Sequence, residues 1–195
     1  MVKFDPKELK GRWVKGVALD VHTIRSTHVG VDQYGRDQFD TEYSPLGELL
    51  HKLKYKGDAT AAPDIVAAAV KFLRPNLSKF EIIVPVPPSN QRAVQPVPLL
   101  AGGIGRALSV SVWNCVTKTK STAALKSVLD PEKRKEVLQG VFEVDAKRTA
   151  RKNILLFDDL YRSGTTLNEI CDVLMDGGRA ASVRVLTITK TRSNR

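Results

Sequence analysis

The chain has 195 residues, 42% hydrophobic and 27% charged, a balance typical of a globular domain and not of a disordered segment. Its 31 Lys and Arg exceed its 21 Asp and Glu, and the formal net charge of +10 fits either a polyanionic partner or a basic solvated surface. Two distant cysteines, Cys115 and Cys171, exclude a zinc ribbon and a paired redox motif. Because the sequence shows neither a signal region nor a membrane-spanning run of about 18 apolar residues, we expect a soluble, cytoplasmic protein without a membrane partner.

The amino-terminal part of the chain, residues 1–57, is predicted to form a hood that does not fold as an independent domain. Between Trp13 and Lys56, the Val-rich runs WVKGVALDV and STHVGV predict a small antiparallel ribbon. The stretch SPLGELLHKLKY follows and predicts an amphipathic helix. Its apolar stripe consists of Leu46, Leu49, Leu50 and Leu53.

Residues 58–195 alternate between helical and strand patterns, which predicts an α/β core with a mostly parallel, twisted sheet and helices on both faces. Three glycines, Gly102, Gly103 and Gly105, weigh against a helix in the stretch VPLLAGGIGRAL. The predicted elements are, in chain order, helix PDIVAAAVKFL, strand EIIVPVP, helix VPLLAGGIGRAL, strand SVSVWNCV, strand NILLF, helix TLNEICDVLMDGG and strand SVRVLTITK.

Two adjacent acids follow the apolar run Ile154–Phe157. Four consecutive apolar residues indicate a strand that is covered on both faces and is therefore parallel to its neighbours. Asp158 and Asp159 then lie at its carboxyl end, where open α/β sheets bind their ligands.

The stretch Ser163–Thr166 precedes a helical apolar stripe, so the helix is predicted to begin at Thr165 or Thr166. Main-chain N–H groups and hydroxyls at a positive helix end suit a phosphate monoester, and Gly164 lets the backbone approach the anion. The alternative is that these residues merely cap the helix. Together with the acid pair, which can accept hydrogen bonds from two hydroxyls, they fit a 5-phosphorylated ribose.

The motif FDDLYRSGTT resembles the phosphoribosyl pyrophosphate (PRPP) binding motif of type I phosphoribosyltransferases. Three other stretches, SPLGELLHKLKYKGD, IIVPVP and LDPEKRKEVLQGVFEV, are similar to the competence-associated ComF branch. The resemblance implies a type I phosphoribosyltransferase fold like that of amidophosphoribosyltransferase domains, with residues 58–195 as the PRPP-binding core.

The resemblance also implies roles for individual residues. Asp158 and Asp159 would bind the ribose hydroxyls. The residues implied to bind the 5-phosphate are Arg162, Ser163, Gly164, Thr165 and Thr166. Mg²⁺ would be carried by PRPP itself, without a direct protein ligand.

The pyrophosphate side of the donor is predicted from two loops. Ser89 and Arg92 follow the strand IIVPVP, although the run SNQRAVQPVP departs from the family's usual loop. The stretch Val116–Glu136 resembles in position the mobile loop that closes over such sites. Its candidate catalytic lysines are Lys118, Lys120 and Lys126, each of which has a solvated surface position as the alternative.

The resemblance implies transfer of ribose 5-phosphate from PRPP to a nitrogen acceptor, a nucleobase or an amine, with release of pyrophosphate. Arg162 stands where purine-salvage enzymes have an aspartate, which disfavours hypoxanthine or guanine. The alternatives are a non-catalytic accessory protein in DNA uptake or nucleic-acid binding, and a PRPP-sensing regulator. Aromatic residues make up 6% of the chain and are not interleaved with basic residues, which disfavours a nucleic-acid platform. The family often dimerises, so a homodimer is a further expectation.

Overall fold

A computed structural model of the chain describes residues 2–88, 93–119 and 140–192. Its strands are β1 (Lys7–Leu9), β2 (Lys15–Val21), β3 (Thr23–Val31), β4 (Asp37–Tyr43), β5 (Ile82–Pro85), β6 (Ser111–Val112), β7 (Val116–Lys118), β8 (Phe142–Val144), β9 (Asn153–Tyr161) and β10 (Ser182–Lys190). Its helices are α1 (Pro45–Tyr55), α2 (Ala62–Leu73), α3 (Pro96–Leu108), α4 (Ala146–Thr149) and α5 (Thr165–Met175), with 3₁₀ turns at Ala59–Ala61 and Arg74–Lys79. No helix within these ranges combines the length and apolarity needed to cross a membrane.

The centre of the fold is a six-stranded sheet with the strand order β1-β2-β10-β9-β5-β6. Strands β2, β10, β9, β5 and β6 are parallel, and β1 pairs with β2 in the antiparallel sense. Connections between parallel neighbours require crossovers, and the helices supply them. This architecture confirms the predicted α/β class and the mostly parallel sheet.

The apolar run of β9 packs on both faces of the sheet, as its sequence predicts. Leu155 and Phe157 lie in a core cluster with residues of α1, α2 and α3. Ile154 and Leu156 lie in a second cluster, which includes Ile170 and other residues of α5. Since successive side chains of a strand point to opposite faces, four apolar residues in a row require cover on both sides.

Helix α1 forms as its sequence predicts. The Ser44 side chain caps it by accepting a hydrogen bond from the Gly47 N–H at 3.0 Å. Leu46, Leu50 and Leu53 are fully buried in the same cluster as Leu155. The predicted leucine stripe is therefore the surface that holds α1 against the sheet.

The predicted amino-terminal ribbon begins later in the chain than its sequence suggested. We expected WVKGVALDV to belong to it, which is wrong: Lys15–Val21 forms β2, inside the main sheet between β1 and β10. Val17 and Leu19 are buried in the core, which explains why this strand joins the sheet. The ribbon consists of β3 and β4 alone. The division of the chain at residue 57 stays a prediction.

We expected the run SVSVWNCV to form one strand, which is wrong. Its third and fourth residues form β6, which pairs with β5, and its last residue, Val116, begins β7, which pairs with β8 in a separate antiparallel sheet. Directly after β6, the Trp113 N–H donates to the Ile83 carbonyl at 2.9 Å, and the pairing of this edge strand with β5 stops there. Strand β7 also occupies the start of the stretch that we predicted as a mobile loop, whereas residues 120–136 of that stretch lie outside the described residues.

Helix α3 forms in spite of its glycines because two of them lie where helices and strands approach closely. A Cβ atom at Gly103 would lie 2.7 Å from Val66 Cγ2 of α2. At Gly105 it would clash with Val112 Cγ2 of β6 and would lie 2.7 Å from the Val110 carbonyl oxygen. Packing against α2 and β6 thus outweighs the low helix propensity of glycine.

Gly105→Ala should destabilise the protein although alanine is the better helix former. The new methyl group has to displace β6 and its backbone, which we expect to lower the free energy of unfolding by about 1–3 kcal/mol. Gly102→Ala is the matched control, because its Cβ meets nothing closer than the flexible Arg106 side chain at 3.5 Å. That variant should gain up to about 1 kcal/mol. Urea unfolding of both variants measures the difference, and equal effects would contradict the packing explanation.

Candidate functional site

The acid pair lies within the last residues of β9. As predicted, Asp158 and Asp159 lie at the carboxyl end of this strand, and pairing with β10 continues beyond them as far as Tyr161 opposite Lys190. On the other side, pairing with β5 ends at Phe157 opposite Pro85. The acids are therefore held by one neighbouring strand and stand beyond the carboxyl end of the other, at the edge where α/β sheets form ligand crevices.

Asp159 forms a bidentate ion pair with Lys54 of α1. The Lys54 Nζ donates to both carboxylate oxygens of Asp159, at 2.9 and 2.7 Å, and the two side chains are 17% and 10% exposed. A nearly buried carboxylate needs such a partner because burial removes its hydration. Lys54 lies four positions after the buried Leu50, on the apolar side of α1, and this spacing indicates that its side chain faces the sheet.

Asp158 has a different electrostatic environment. Burial first, and the neighbouring Asp159 carboxylate second, raise the pKa of Asp158 to about 7. The Asp159 N–H, which donates to Asp158 Oδ1 at 2.8 Å, and the Lys54 ammonium oppose this rise. The two acids therefore differ in charge state: Asp159 is held as a carboxylate in an ion pair, whereas Asp158 exchanges a proton near neutral pH.

The loop after β9 turns sharply into α5, which begins at Thr165 as predicted. Gly164 has a φ of +75°, and a Cβ there would also lie 2.7 Å from the Tyr161 hydroxyl, so both backbone and packing require glycine. Gly164 is the N-cap residue, and no side chain caps the helix at this position. Ser163 Oγ and Thr165 Oγ1 lie 2.9 Å apart within hydrogen-bond distance. The helix end therefore presents main-chain N–H groups and two hydroxyls. It follows the acid pair after three intervening residues.

The other predicted site residues have varied positions. Arg162 is exposed, and Thr166 is half-buried in the first turn of α5. Lys118 belongs to β7, where its ammonium lies 5.9 Å from the centre of the Phe142 ring and burial lowers its pKa. The remaining candidates lie outside the described residues, and their roles stay predictions. They are Ser89, Arg92, Lys120 and Lys126.

A row of four rings, which sequence patterns did not reveal, connects the ribbon to α1. The ring centroids lie 5.5 Å apart for His22 and Tyr43, 4.8 Å for Tyr43 and His51, and 5.1 Å for His51 and Tyr55. His22 lies between β2 and β3, and Tyr43 ends β4, whereas His51 and Tyr55 lie one turn apart on α1. The i and i+4 spacing therefore links only the last two rings in sequence.

His22 lies close to the ion pair at one end of this row. Burial is the main cause that lowers the pKa of His22 to about 4, and the positive charge of Lys54 and the neighbouring His51 add to it, while Asp159 opposes. His22 Nδ1 lies 3.1 Å from Thr189 Oγ1 of β10. The imidazole is therefore neutral at physiological pH and fixed against the sheet.

Among the described residues, no group of three or more His, Cys, Asp and Glu side chains could hold a metal ion. The nearest carboxylates to a bound ligand would be Asp158 and Asp159, which supply at most four oxygens, two of them already bound to Lys54. A Mg²⁺ ion prefers six oxygen ligands, so these residues fit a metal that arrives with most of its ligands.

In sequence, the chain is similar to the Competence protein ComFC of Bacillus subtilis (strain 168). The two are 24% identical over 156 residues, and the match covers 75% of this chain. The chain spans 60% of the length of that relative. No protein-family model matches the chain.

Among solved structures, the chain is similar to an adenine phosphoribosyltransferase, with a TM-score of 0.50 and 13% identity over 86% of this chain and 85% of that one. Orotate phosphoribosyltransferase from Aeropyrum pernix aligns with a TM-score of 0.40 and 13% identity over 85% of this chain and 86% of that one. The first likeness shows the fold. The chain has the type I phosphoribosyltransferase fold, as predicted, and its sequence is ComF-like.

Lys54→Met should destabilise the protein by leaving the Asp159 carboxylate nearly buried and without this partner. We expect a loss of about 2 kcal/mol, below the value for fully buried pairs because both side chains keep some exposure. Lys52→Met is the matched control, because Lys52 pairs with Glu48 at 2.8 Å on the solvated side of the same helix. That variant should lose much less stability than Lys54→Met, because water and salt screen an exposed ion pair. Equal losses in urea unfolding would contradict a special role for the Lys54 pair.

Asp158→Asn should change how stability depends on pH. The Asp158 carboxyl ionises near 3.8 in the unfolded chain and at about 7 in the folded protein, so between these values the folded state holds the extra proton. Its contribution to the free energy of unfolding therefore falls as the pH rises through this window and is constant above it. The variant lacks this fall and should gain stability relative to the native protein from about pH 5 to about pH 8.

The gain should stay below the limit of about 1.4 kcal/mol per pH unit for one proton, because the Asp158 side chain is half-buried and solvent screens it. Urea unfolding at both pH values measures it. Asp64→Asn, at an exposed position of α2, provides the control. A stability difference between Asp158→Asn and native protein that does not vary with pH would contradict the raised pKa.

Proposed function

We propose that the chain is a phosphoribosyltransferase that binds PRPP and transfers its ribose 5-phosphate to a nitrogen acceptor, with release of pyrophosphate. The observation that carries this proposal is one continuous segment, Asp158–Thr166. It joins a split acid pair at a strand end to an N-terminal helix turn that lacks a side-chain cap. A ligand that satisfies both ends needs neighbouring hydroxyls at one end and a phosphate at the other.

In this proposal the ribose hydroxyls donate hydrogen bonds to the acids. Asp159 is already oriented by its bidentate pair with Lys54, so one of its oxygens can accept a second bond without rotation of the carboxylate. Asp158 accepts best when it is ionised, and hydroxyl donors at the site lower its pKa by stabilising the charged form. Ligand binding is therefore expected to release a fraction of a proton near neutral pH.

The 5-phosphate in this proposal lies against Ser163–Thr166. The main-chain N–H groups at the start of α5 and the hydroxyls of Ser163 and Thr165 are the donors, and the helix dipole favours the negative charge. Gly164 keeps the turn in its left-handed conformation. Arg162, which is exposed, can add a charge-assisted hydrogen bond.

The reaction proposed is a displacement at the anomeric carbon. A bond forms between the acceptor nitrogen and C1, the bond between C1 and the pyrophosphate oxygen breaks, and the nitrogen loses its proton to solvent or to the leaving group. The residues of this chain contribute mainly by positioning the ribose and excluding competing orientations. Mg²⁺ carried by PRPP would supply charge stabilisation to the departing pyrophosphate.

A second candidate function rests on the similarity to a competence protein. In this candidate function the chain would serve in DNA uptake without transferring ribose, and its formal charge of +10 favours contact with a polyanion. In that case PRPP binding is weak or serves regulation, and single-stranded DNA binds with an affinity that falls steeply with salt.

Titration calorimetry of PRPP with Mg²⁺ tests the proposed function. The native protein should bind, and Asp158→Asn/Asp159→Asn should weaken binding at least tenfold, equivalent to about 1.4 kcal/mol. Asp64→Asn/Asp176→Asn makes the same change in charge at exposed positions and should leave binding unchanged. Absence of PRPP binding to folded native protein would contradict the proposal. Pyrophosphate release with a panel of nucleobases and amines then separates an enzyme from a PRPP-binding regulator.

A further inference from the structure

Tyr161 ends β9 and lies in sequence between the acid pair and the turn into α5. Its side chain is buried, with 6% exposure, and belongs to the apolar cluster that also contains Leu167 and Ile170 of α5. The Thr191 N–H donates to the Tyr161 carbonyl at 2.9 Å and ties the backbone to the residue after β10. The core therefore holds the phenol ring in place on the α5 side of the sheet.

The tip of this ring reaches the start of α5. A Cβ atom at Gly164 would lie 2.7 Å from the Tyr161 hydroxyl, 2.8 Å from Cε2 and 3.0 Å from Cζ. Gly164 is the N-cap residue of α5, so the hydroxyl lies beside the first turn of this helix. The ring thus directs its polar end at the segment proposed to bind a phosphate.

The Tyr161 hydroxyl has no hydrogen-bond partner among the residues that the structure describes. A buried phenol usually finds one, because an unpaired hydroxyl loses the bonds that it makes to water. Within the same residues, Arg184 Nε is the only fully buried side-chain nitrogen or oxygen without a partner. The Tyr161 hydroxyl therefore keeps contact with solvent, although most of its side chain is buried.

The segment Ser163–Thr166 has fewer free hydroxyl donors than its residue types suggest. Ser163 Oγ and Thr165 Oγ1 lie 2.9 Å apart, so one of them donates to the other and the two cannot both donate to a ligand. Burial raises the pKa of the Tyr161 phenol above its ordinary value, so this hydroxyl keeps its proton at neutral pH. Tyr161 is thus a further donor at the same place.

We infer that the Tyr161 hydroxyl donates a hydrogen bond to the phosphate group bound by Ser163–Thr166. This inference rests on the proposed function for the position of the phosphate, and it adds a donor from the strand to the donors of the helix end. Because the core already orders the ring, the bond costs little conformational entropy. A hydrogen bond to a charged phosphate is also stronger than one between neutral groups.

Tyr161→Phe tests the inference because it removes the hydroxyl and keeps the ring. NMR titrations with ribose 5-phosphate and with inorganic phosphate should show that it weakens the binding of both ligands about tenfold or more. Asp158→Asn/Asp159→Asn should instead weaken the binding of ribose 5-phosphate without weakening that of inorganic phosphate, since the acids are proposed to contact only the sugar. The two variants therefore report separately on the two ends of the ligand.

Urea unfolding separates a binding role of the hydroxyl from a structural one. Since the hydroxyl has no protein partner in the described part of the chain, Tyr161→Phe should unfold at the same urea concentration as the native protein. Tyr34→Phe is the matched control, because it removes the same atom from a tyrosine that is 72% exposed in the turn between β3 and β4. That variant should change neither ligand affinity nor stability.

Equal affinities of the native and Tyr161→Phe proteins for ribose 5-phosphate would overturn the inference and leave the proposed function intact. A loss of affinity that is accompanied by a lower urea midpoint would also overturn it, since the hydroxyl would then support the fold and not the ligand. If the native protein binds ribose 5-phosphate but releases no pyrophosphate from PRPP, the proposed transfer fails, whereas a selective loss in Tyr161→Phe still supports the hydrogen bond. Absence of binding of both phosphate ligands to the native protein would contradict both.

Discussion

The ion pair between Lys54 and Asp159 is the interaction on which the candidate site depends. Two adjacent carboxylates at a strand end repel each other, and one of them is almost buried. Helix α1 delivers an ammonium to both oxygens of Asp159, and the buried leucines of the same helix hold it in place. Helix α1, which lies in the predicted hood segment, is thus a structural part of the candidate site.

This pairing makes the two acids unequal, which two identical side chains in sequence do not suggest. Asp159 has a fixed orientation and a permanent cation, whereas the pKa of Asp158 is raised to about 7. A site with one oriented carboxylate and one that ionises near neutral pH can respond to hydroxyl donors by releasing a proton. The turn at Gly164 then places a positive helix end after the acids within a single segment.

Much of the core and of this segment was predictable because its signals are local. The apolar run Ile154–Phe157 indicated a parallel strand, and the Ser-Gly-Thr-Thr cluster before a helical stripe located the start of α5. The place of β2 was not predictable in this way, since a Val-rich strand fits a ribbon or a sheet equally well and the choice depends on distant partners. The pairing of Lys54 with Asp159 and the contacts of Tyr43 with His22 and His51 likewise join remote residues, and no spacing in one sequence identifies such partners.

The most direct measurement is a backbone amide NMR titration with ribose 5-phosphate, compared with inorganic phosphate and with ribose. If one ligand engages both ends of the segment, ribose 5-phosphate should shift the amides of Asp158, Asp159 and Ser163–Thr166 together. Inorganic phosphate should shift the amides of the loop alone, and more weakly. Shifts confined to one end with ribose 5-phosphate, or shifts elsewhere on the protein, would contradict a single sugar-phosphate site.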